Sequence, residues 1–305
     1  MYDKSDPRST LAPTGGGTSA DVRLSEPQYG RFHEGVPDEE DANGRTWYSR
    51  GQNFIVAYSE ASPGAQFIRE GQTDEYMVLL PDRNTAAEVQ AGERNERTDG
   101  FSLIIMPPGK TCIDLPNGGR MVRIFSKRAE DIAAKCSNAH AYAEQQPTIP
   151  PLENWPEPRG GYRIRVYSLD VPIEPGQFGR IWRSTNMMVN VAPVQKGERD
   201  LTKVSPHHHD DFEQGSLALL GTWKHHMRWP WSTNMNDWHA DEHATTESPS
   251  LTVIPARVIH TSTWHSELNQ LVDIFAPPRL DFSLKPGWVR NEDEYPLPDN
   301  VAPTV

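Results

Sequence analysis

Proline constrains this chain more than any other residue does. Its 27 prolines fix φ and remove backbone donors, which suits turns and interrupted strands and works against long helices. Between them lie apolar runs of strand length and strand composition. These fall at 53–58, 76–80, 101–106 and 121–125, and again at 162–167, 179–184, 187–191, 216–223, 251–254 and 271–275. One stretch, 128–143, is Ala-rich with Ile132 and Ala133 inside it, and is the best helix candidate. It is followed over 145–161 by five prolines and two adjacent glycines, a natural linker. Two groups of short strands parted by a helix and a linker predict two all-β units of barrel or sandwich type. The expected organisation is a flexible arm over 1–45, a first unit over 46–128 and a helix with a Pro-rich linker over 129–160. A second unit over 161–280 and a Pro-rich tail over 281–305, lying on the outside, complete it.

Composition removes several classes of function. Thirty Lys and Arg against 42 Asp and Glu give a net charge of −12, which repels a phosphate backbone and argues against a nucleic-acid partner. Two cysteines, Cys112 and Cys136, supply neither a disulfide framework nor a four-cysteine zinc site. No apolar run approaches the ~18 residues of a membrane span, and 1–19 lacks a signal peptide's apolar stretch. A cytoplasmic protein with no membrane partner is expected. Neither a nucleophile elbow, a phosphate-cradling glycine loop nor a dinucleotide fingerprint stands out.

The chemistry concentrates in the second half, where nine of the eleven histidines lie between His207 and His265. The sharpest group is Ser205-Pro206-His207-His208-His209-Asp210-Asp211-Phe212-Glu213. On a strand His207 and His209 share one face and His208 takes the other. A straight strand would hold His207 and Glu213 about 20 Å apart, so a common ion requires a turn, for which Asp210-Asp211 is suitable. Glu213 would then return to an ion held by the two imidazoles at about 2.0–2.2 Å. His260, closing the segment 253–260, offers a fourth ligand. Three neutral imidazoles and a carboxylate suit one divalent ion, Fe(II), Mn, Zn, Ni or Cu, with positions left open.

Here the sequence resembles the cupin superfamily. Its first motif, His-x-His, three or four residues and then Glu, is met by His207, His209 and Glu213. Its second, Pro-x-Gly-x-x-His, is met by Pro255, Arg257 and His260, with Arg in the glycine's place. The first half fits the same template with the ligands gone. Arg69 and Gly71 stand where histidines would, Glu75 is kept, and Cys112 replaces the last histidine after Pro107 and Gly109. The resemblance implies a bicupin over most of 46–280: two cupin-type double-stranded β-helix (jelly-roll) barrels joined by a short helix. It implies one metal, in the C-terminal barrel, bound by His207, His209, Glu213 and His260, and a homodimer as the assembly. In the metal-free barrel Arg69 would pair with Glu75, and Cys112 reads as a small buried residue rather than a reactive thiol.

The segment Trp223-Lys224-His225-His226-Met227-Arg228-Trp229 has two parities. Trp223, His225, Met227 and Trp229 inward would make an aromatic pocket; Lys224, His226 and Arg228 inward would make a cationic one. His226 and Arg228 are the candidate substrate contacts, with Arg257 as an anchor for an anionic group. Trp264 is either a packed core residue or a cover for the mouth. His239 and His243 have the spacing of two helical zinc ligands but sit in polar sequence, which argues against a second metal. The leading expectation is a mononuclear Fe(II) dioxygenase acting on a small aromatic or enolisable organic acid. The alternatives are a Lewis-acid isomerase or lyase on a sugar acid or keto acid, with His226 or His265 as base, and a non-catalytic small-molecule-binding cupin.

Overall fold

The computed structural model describes residues 24–299 apart from 233, and residue 301. Antiparallel strands make up almost all of its regular structure, in two large sheets and two small ones. The N-terminal large sheet runs Arg165–Ser168, Ser102–Met106, Tyr76–Leu80, Gly119–Ser126, Phe54–Ala61, Gly44–Arg50 and Glu39–Asp41. Its small companion runs Ala65–Gln72, Gly109–Leu115, Ala87–Ala91 and Arg94–Thr98. The C-terminal large sheet runs Gln28–Gly30, Ser250–Ile254, Gln214–Leu220, Leu268–Phe275, Met188–Val191 and Arg180–Arg183, with Gln195–Lys196 at the side. Its companion has Thr222–Arg228 between Glu242–Glu247 and Ile259–Trp264. This is the duplicated jelly-roll architecture, all-β, that the sequence predicts.

Alternation along the strands explains how the two units join. In Phe54–Ala61, Phe54, Val56 and Tyr58 enter one core with Leu217, Leu219, Val272 and Ile274 of the other unit. Ile55 and Ala57 face the opposite way, into the N-terminal barrel with Tyr76, Val78, Ile104 and Phe125. Both faces of the large sheets are therefore apolar, which is why their strands appear in the sequence as continuous runs. Each fully buried Phe, Leu or Ile is worth roughly 1.5–3 kcal/mol, so the shared core welds the barrels into one body. The small-sheet strands, such as Ala65–Gln72 and Ile259–Trp264, are partly exposed and alternate, so the apolar runs did not reveal them.

Four boundary expectations change. Of the arm, 1–23 lies outside the described residues, but Gln28–Gly30 pairs with Ser250–Ile254 at the edge of the C-terminal sheet. Phe32 stacks on Tyr58, ring centroids 5.7 Å apart, so this segment is anchored by an edge-strand pairing and one aromatic contact, too sparse to show as a periodic run. In exchange Arg165–Ser168, assigned by position to the second unit, pairs with Ser102–Met106 of the first. The helix of 128–143 shrinks to Glu130–Ala133 and a 3₁₀ turn at Ala139–Tyr142. The tail packs inward: Tyr295 is 1% exposed within the core between the sheets, and Val289 bridges Ile181. No helix among the described residues is long and apolar enough to cross a membrane.

Candidate metal centre

The centre starts from a backbone bridge. His207 and His260 face each other as an antiparallel pair, His207 N donating to the His260 carbonyl at 3.0 Å and His260 N returning to the His207 carbonyl at 2.7 Å. The turn over Asp210–Glu213 carries the chain back to the strand Gln214–Leu220. Arg257 stabilises that turn from outside. It holds φ at +67°, the left-handed conformation for which the family motif uses glycine. Its backbone N donates to the His209 carbonyl at 2.5 Å and its Nε to the Asp210 carbonyl at 3.1 Å. Arg257 is not among the residues lining the cavity, so its role as a substrate anchor is replaced by a role in the loop.

The structure brings His207, His209 and His260 together, their ligand atoms all within 4.8 Å of one another and all three side chains buried. His207 Nδ1 donates to the Ser205 carbonyl at 2.8 Å and His260 Nδ1 to the Val258 carbonyl at 2.9 Å. A carbonyl only accepts, so both rings carry a proton on Nδ1 and turn Nε2 toward the cluster, as metal-ligating histidines do when a backbone carbonyl holds the far side of the ring. Burial, then the Arg279 guanidinium and the other two imidazoles, holds His209 well below the usual histidine range. Three clustered, buried imidazoles, two of them oriented through Nδ1, fit a divalent transition metal.

Glu213 does not join them. Its carboxylate accepts from the Gln52 backbone N at 2.5 Å and from the Tyr142 hydroxyl, both in the N-terminal half. The residue that enters the barrel is its neighbour Gln214, whose Oε1 lies 2.9 Å from His209 Nε2. The cause is strand parity: one step along the chain changes the face. The sequence carried the signal, since the four-residue spacing of the first motif ends on Gln214, but there the motif asks for Glu.

A cavity of about 510 Å³ opens beside the triad. Its walls include Trp223, Trp264, Phe275, Asp273, Arg199 and Arg279. Arg199 lies over the Trp264 ring at 4.9 Å, and Arg279 lies over Phe282 at 3.8 Å while pairing with Asp281 at 2.5 Å. Trp264 thus lines the cavity rather than filling the core.

Thr222–Arg228 settles its own parity. Trp223, His225 and Met227 are buried and Lys224, His226 and Arg228 point away. Arg228 pairs with Asp241 on the exposed side, and His226 Nδ1 meets His243 Nδ1 at 2.8 Å. Neither reaches the cavity, and both substrate-contact expectations are corrected. His265, the other candidate base, contacts Thr263 and is exposed. His225 is the inward residue that was passed over. Its Nδ1 meets Ser262 Oγ at 2.8 Å, and burial, then His260 and His226, pushes it down to about 3. His239 stacks on Trp229 and His243 lies on a strand, so the pair has no helical geometry.

The first barrel also differs from expectation. Arg69 pairs with Asp131 at 2.5 Å and with Gln72, leaving Glu75 to other partners. Thr111, not Cys112, faces Arg69 across the ladder, because the register shifts between Gly109 and Thr111. Cys112 is half-exposed, and burial with Asp114 pushes its thiol up to about 11, far from a reactive thiolate.

No protein-family model and no curated protein sequence matches the chain. Solved structures do. Oxalate decarboxylase from Bacillus subtilis at pH 4.6 aligns with 86% of this chain and 78% of its own, at 15% identity and a TM-score of 0.53. A structure of oxalate decarboxylase concerned with its substrate binding mode gives 15% identity, 87% and 79% coverage and 0.53. A deletion variant of the Bacillus subtilis enzyme gives 15% identity, the same coverage and 0.54. The chain has the bicupin fold, with its histidine triad in the C-terminal cupin barrel.

Proposed function

We propose that the C-terminal barrel is a divalent-metal lyase acting on a small organic acid of the keto-acid or sugar-acid class. The carrying observation is a cluster of three buried imidazoles, two of which, His207 and His260, line a cavity whose wall also bears Arg199, Lys203 and Arg279. His207, His209 and His260 would hold the ion, which when bound supplies a Lewis acid at a substrate oxygen. The basic side chains draw in an anion and the charge on each favours a carboxylate over a neutral ligand. Trp223, Trp264 and Phe275 keep bulk water from the reacting end, where electrostatic contacts gain strength. The resemblance in fold to a decarboxylase supports lyase chemistry over oxidation.

The aromatic wall also favours a second reading, an Fe(II) dioxygenase acting on an aromatic or enolisable acid. Oxygen dependence separates the two. The test is metal analysis of the purified protein, followed by turnover of a panel of keto, dicarboxylic and aromatic acids in strictly anaerobic buffer. Anaerobic product formation supports the lyase; turnover only with O₂ consumption rejects it in favour of the dioxygenase. Metal-free protein that gains no activity with Fe(II), Mn(II), Zn(II), Ni(II) or Cu(II) rejects both.

A further inference from the structure

The glutamate that the motif supplies to the metal is spent elsewhere in this chain, and the space it leaves beside the triad is not vacant. We propose that Gln214 is the fourth protein donor of the centre, through Oε1, so that the ion is held by four neutral groups. The inference rests on the metal-centre reading above and adds to it the identity and charge of the donor set.

Three observations carry it. Gln214 is 8% exposed, lines the cavity, and sets Oε1 at 2.9 Å from His209 Nε2. An amide oxygen only accepts, so in the metal-free chain His209 Nε2 donates this hydrogen bond; an ion taking that proton's place at about 2.1 Å from both atoms and at right angles needs them about 3.0 Å apart, the spacing they already have. The amide is also fixed in orientation. Its Nε2 donates to Asp273 Oδ1 at 2.9 Å and to Ser216 Oγ at 3.1 Å, using both hydrogens and turning the carbonyl toward His209. Asp273 is held in turn, its Oδ2 accepting from Asn190 Nδ2 at 3.1 Å. Asn190 packs against Gly179 so closely that a Cβ there would fall 1.8 Å from Asn190 Oδ1. Gly179, Asn190 and Asp273 therefore form a support behind the Gln214 amide. Finally, Glu213 is committed across the barrel joint to Gln52 and Tyr142, and bringing it to the triad would break both contacts.

Replacing a carboxylate with an amide leaves the bound ion with its full double charge. Such a centre binds an anionic ligand more tightly and its metal less tightly than a three-histidine, one-carboxylate centre. Asp273 is here a positioning residue, acting through Gln214.

The experiment is calorimetric titration of the intact metal-free protein with Mn(II) and with Zn(II) alone, and the visible spectrum of the Co(II) form. Gln214→Ala is expected to weaken affinity about 10–100-fold and to alter the Co(II) bands. Gln214→Glu is expected to bind metal at least as tightly as the parent. Asp273→Asn is expected to lose about 10-fold by freeing the amide to flip, and it keeps the test open should Gln214→Ala not fold, as judged by circular dichroism. A parent that binds one equivalent while Gln214→Ala and Asp273→Asn bind with its affinity and spectrum overturns the assignment of Gln214 alone. A parent that binds neither ion overturns the metal centre and this inference with it.

Discussion

The two barrels repeat one skeleton and fill it differently. Where His207 faces His260 in the C-terminal barrel, Arg69 faces Thr111 in the N-terminal one. Where the C-terminal barrel has a cavity beside its imidazoles, the N-terminal interior is occupied. Tyr76 stacks on Phe125 at 4.9 Å, its hydroxyl bonds Thr111 Oγ1 at 2.8 Å, and Arg69 lies over the Phe125 ring. Yet at the joint between barrels the two are alike. Glu75 accepts from Thr185 N at 3.0 Å, Thr185 Oγ1 at 2.9 Å and Tyr295 Oη at 2.9 Å. Glu213 accepts from Gln52 N and Tyr142 in the mirror arrangement. Asn138 clasps the Arg50 backbone as Asn291 clasps that of Arg183. The repeat therefore preserves the joint and varies the interior: the motif glutamate belongs to assembly in both halves.

The largest expected difference between the barrels is in metal binding. His207→Ala or His260→Ala should weaken binding by on the order of 100-fold or more in a metal titration. Because the joint and sheets carry the fold, far-UV circular dichroism should stay unchanged both in these variants and on chelation. Cutting the joint should do the reverse. Glu75→Ala strands buried Thr185 and Tyr295 donors and should cost about 3 kcal/mol in urea unfolding, with metal affinity kept within about threefold of the parent. A large loss of metal at that position would break the division between joint and interior.

A smaller effect is pH-dependent. Burial raises the Glu75 carboxyl above its ordinary value of 4.5, so the folded protein keeps this proton after the unfolded chain has lost it. The stability it contributes is full below 4.5 and falls as pH rises through the raised value. Glu75→Gln should flatten that part of a melting-temperature profile; an unchanged slope would remove Glu75 as its source. The smallest effect belongs to the outer face. Arg228→Ala should leave metal affinity, ligand binding and melting temperature where they are, since its Asp241 pair is exposed.

Several features were legible in the residues. The doubly buried strand Tyr76–Leu80 is apolar along its length, and no other context is needed to read it. His207, His209 and His260 were found by local spacing, because a His-x-His pair and a Pro-initiated bend are short-range patterns, whereas the bridge that brings His207 to His260 joins distant parts of the chain. The loss of ligands at Arg69 and Gly71 was likewise written in side-chain chemistry. What failed was phase. Glu213 against Gln214, and His226 against His225, differ by one residue, and the alternation of a strand looks the same from either starting point.

The sequence by itself determined that this chain makes two β-barrels, that only the second retains imidazoles, and that three of them lie at motif spacing. Tertiary structure decided which neighbour of each pair turns inward, that 28–30 and 165–168 exchange sheets, and that the tail closes the joint through Tyr295. The reason is that composition and spacing act along the chain. Face, register and partner are fixed only when another strand supplies the ladder and the second sheet supplies the surface to be covered.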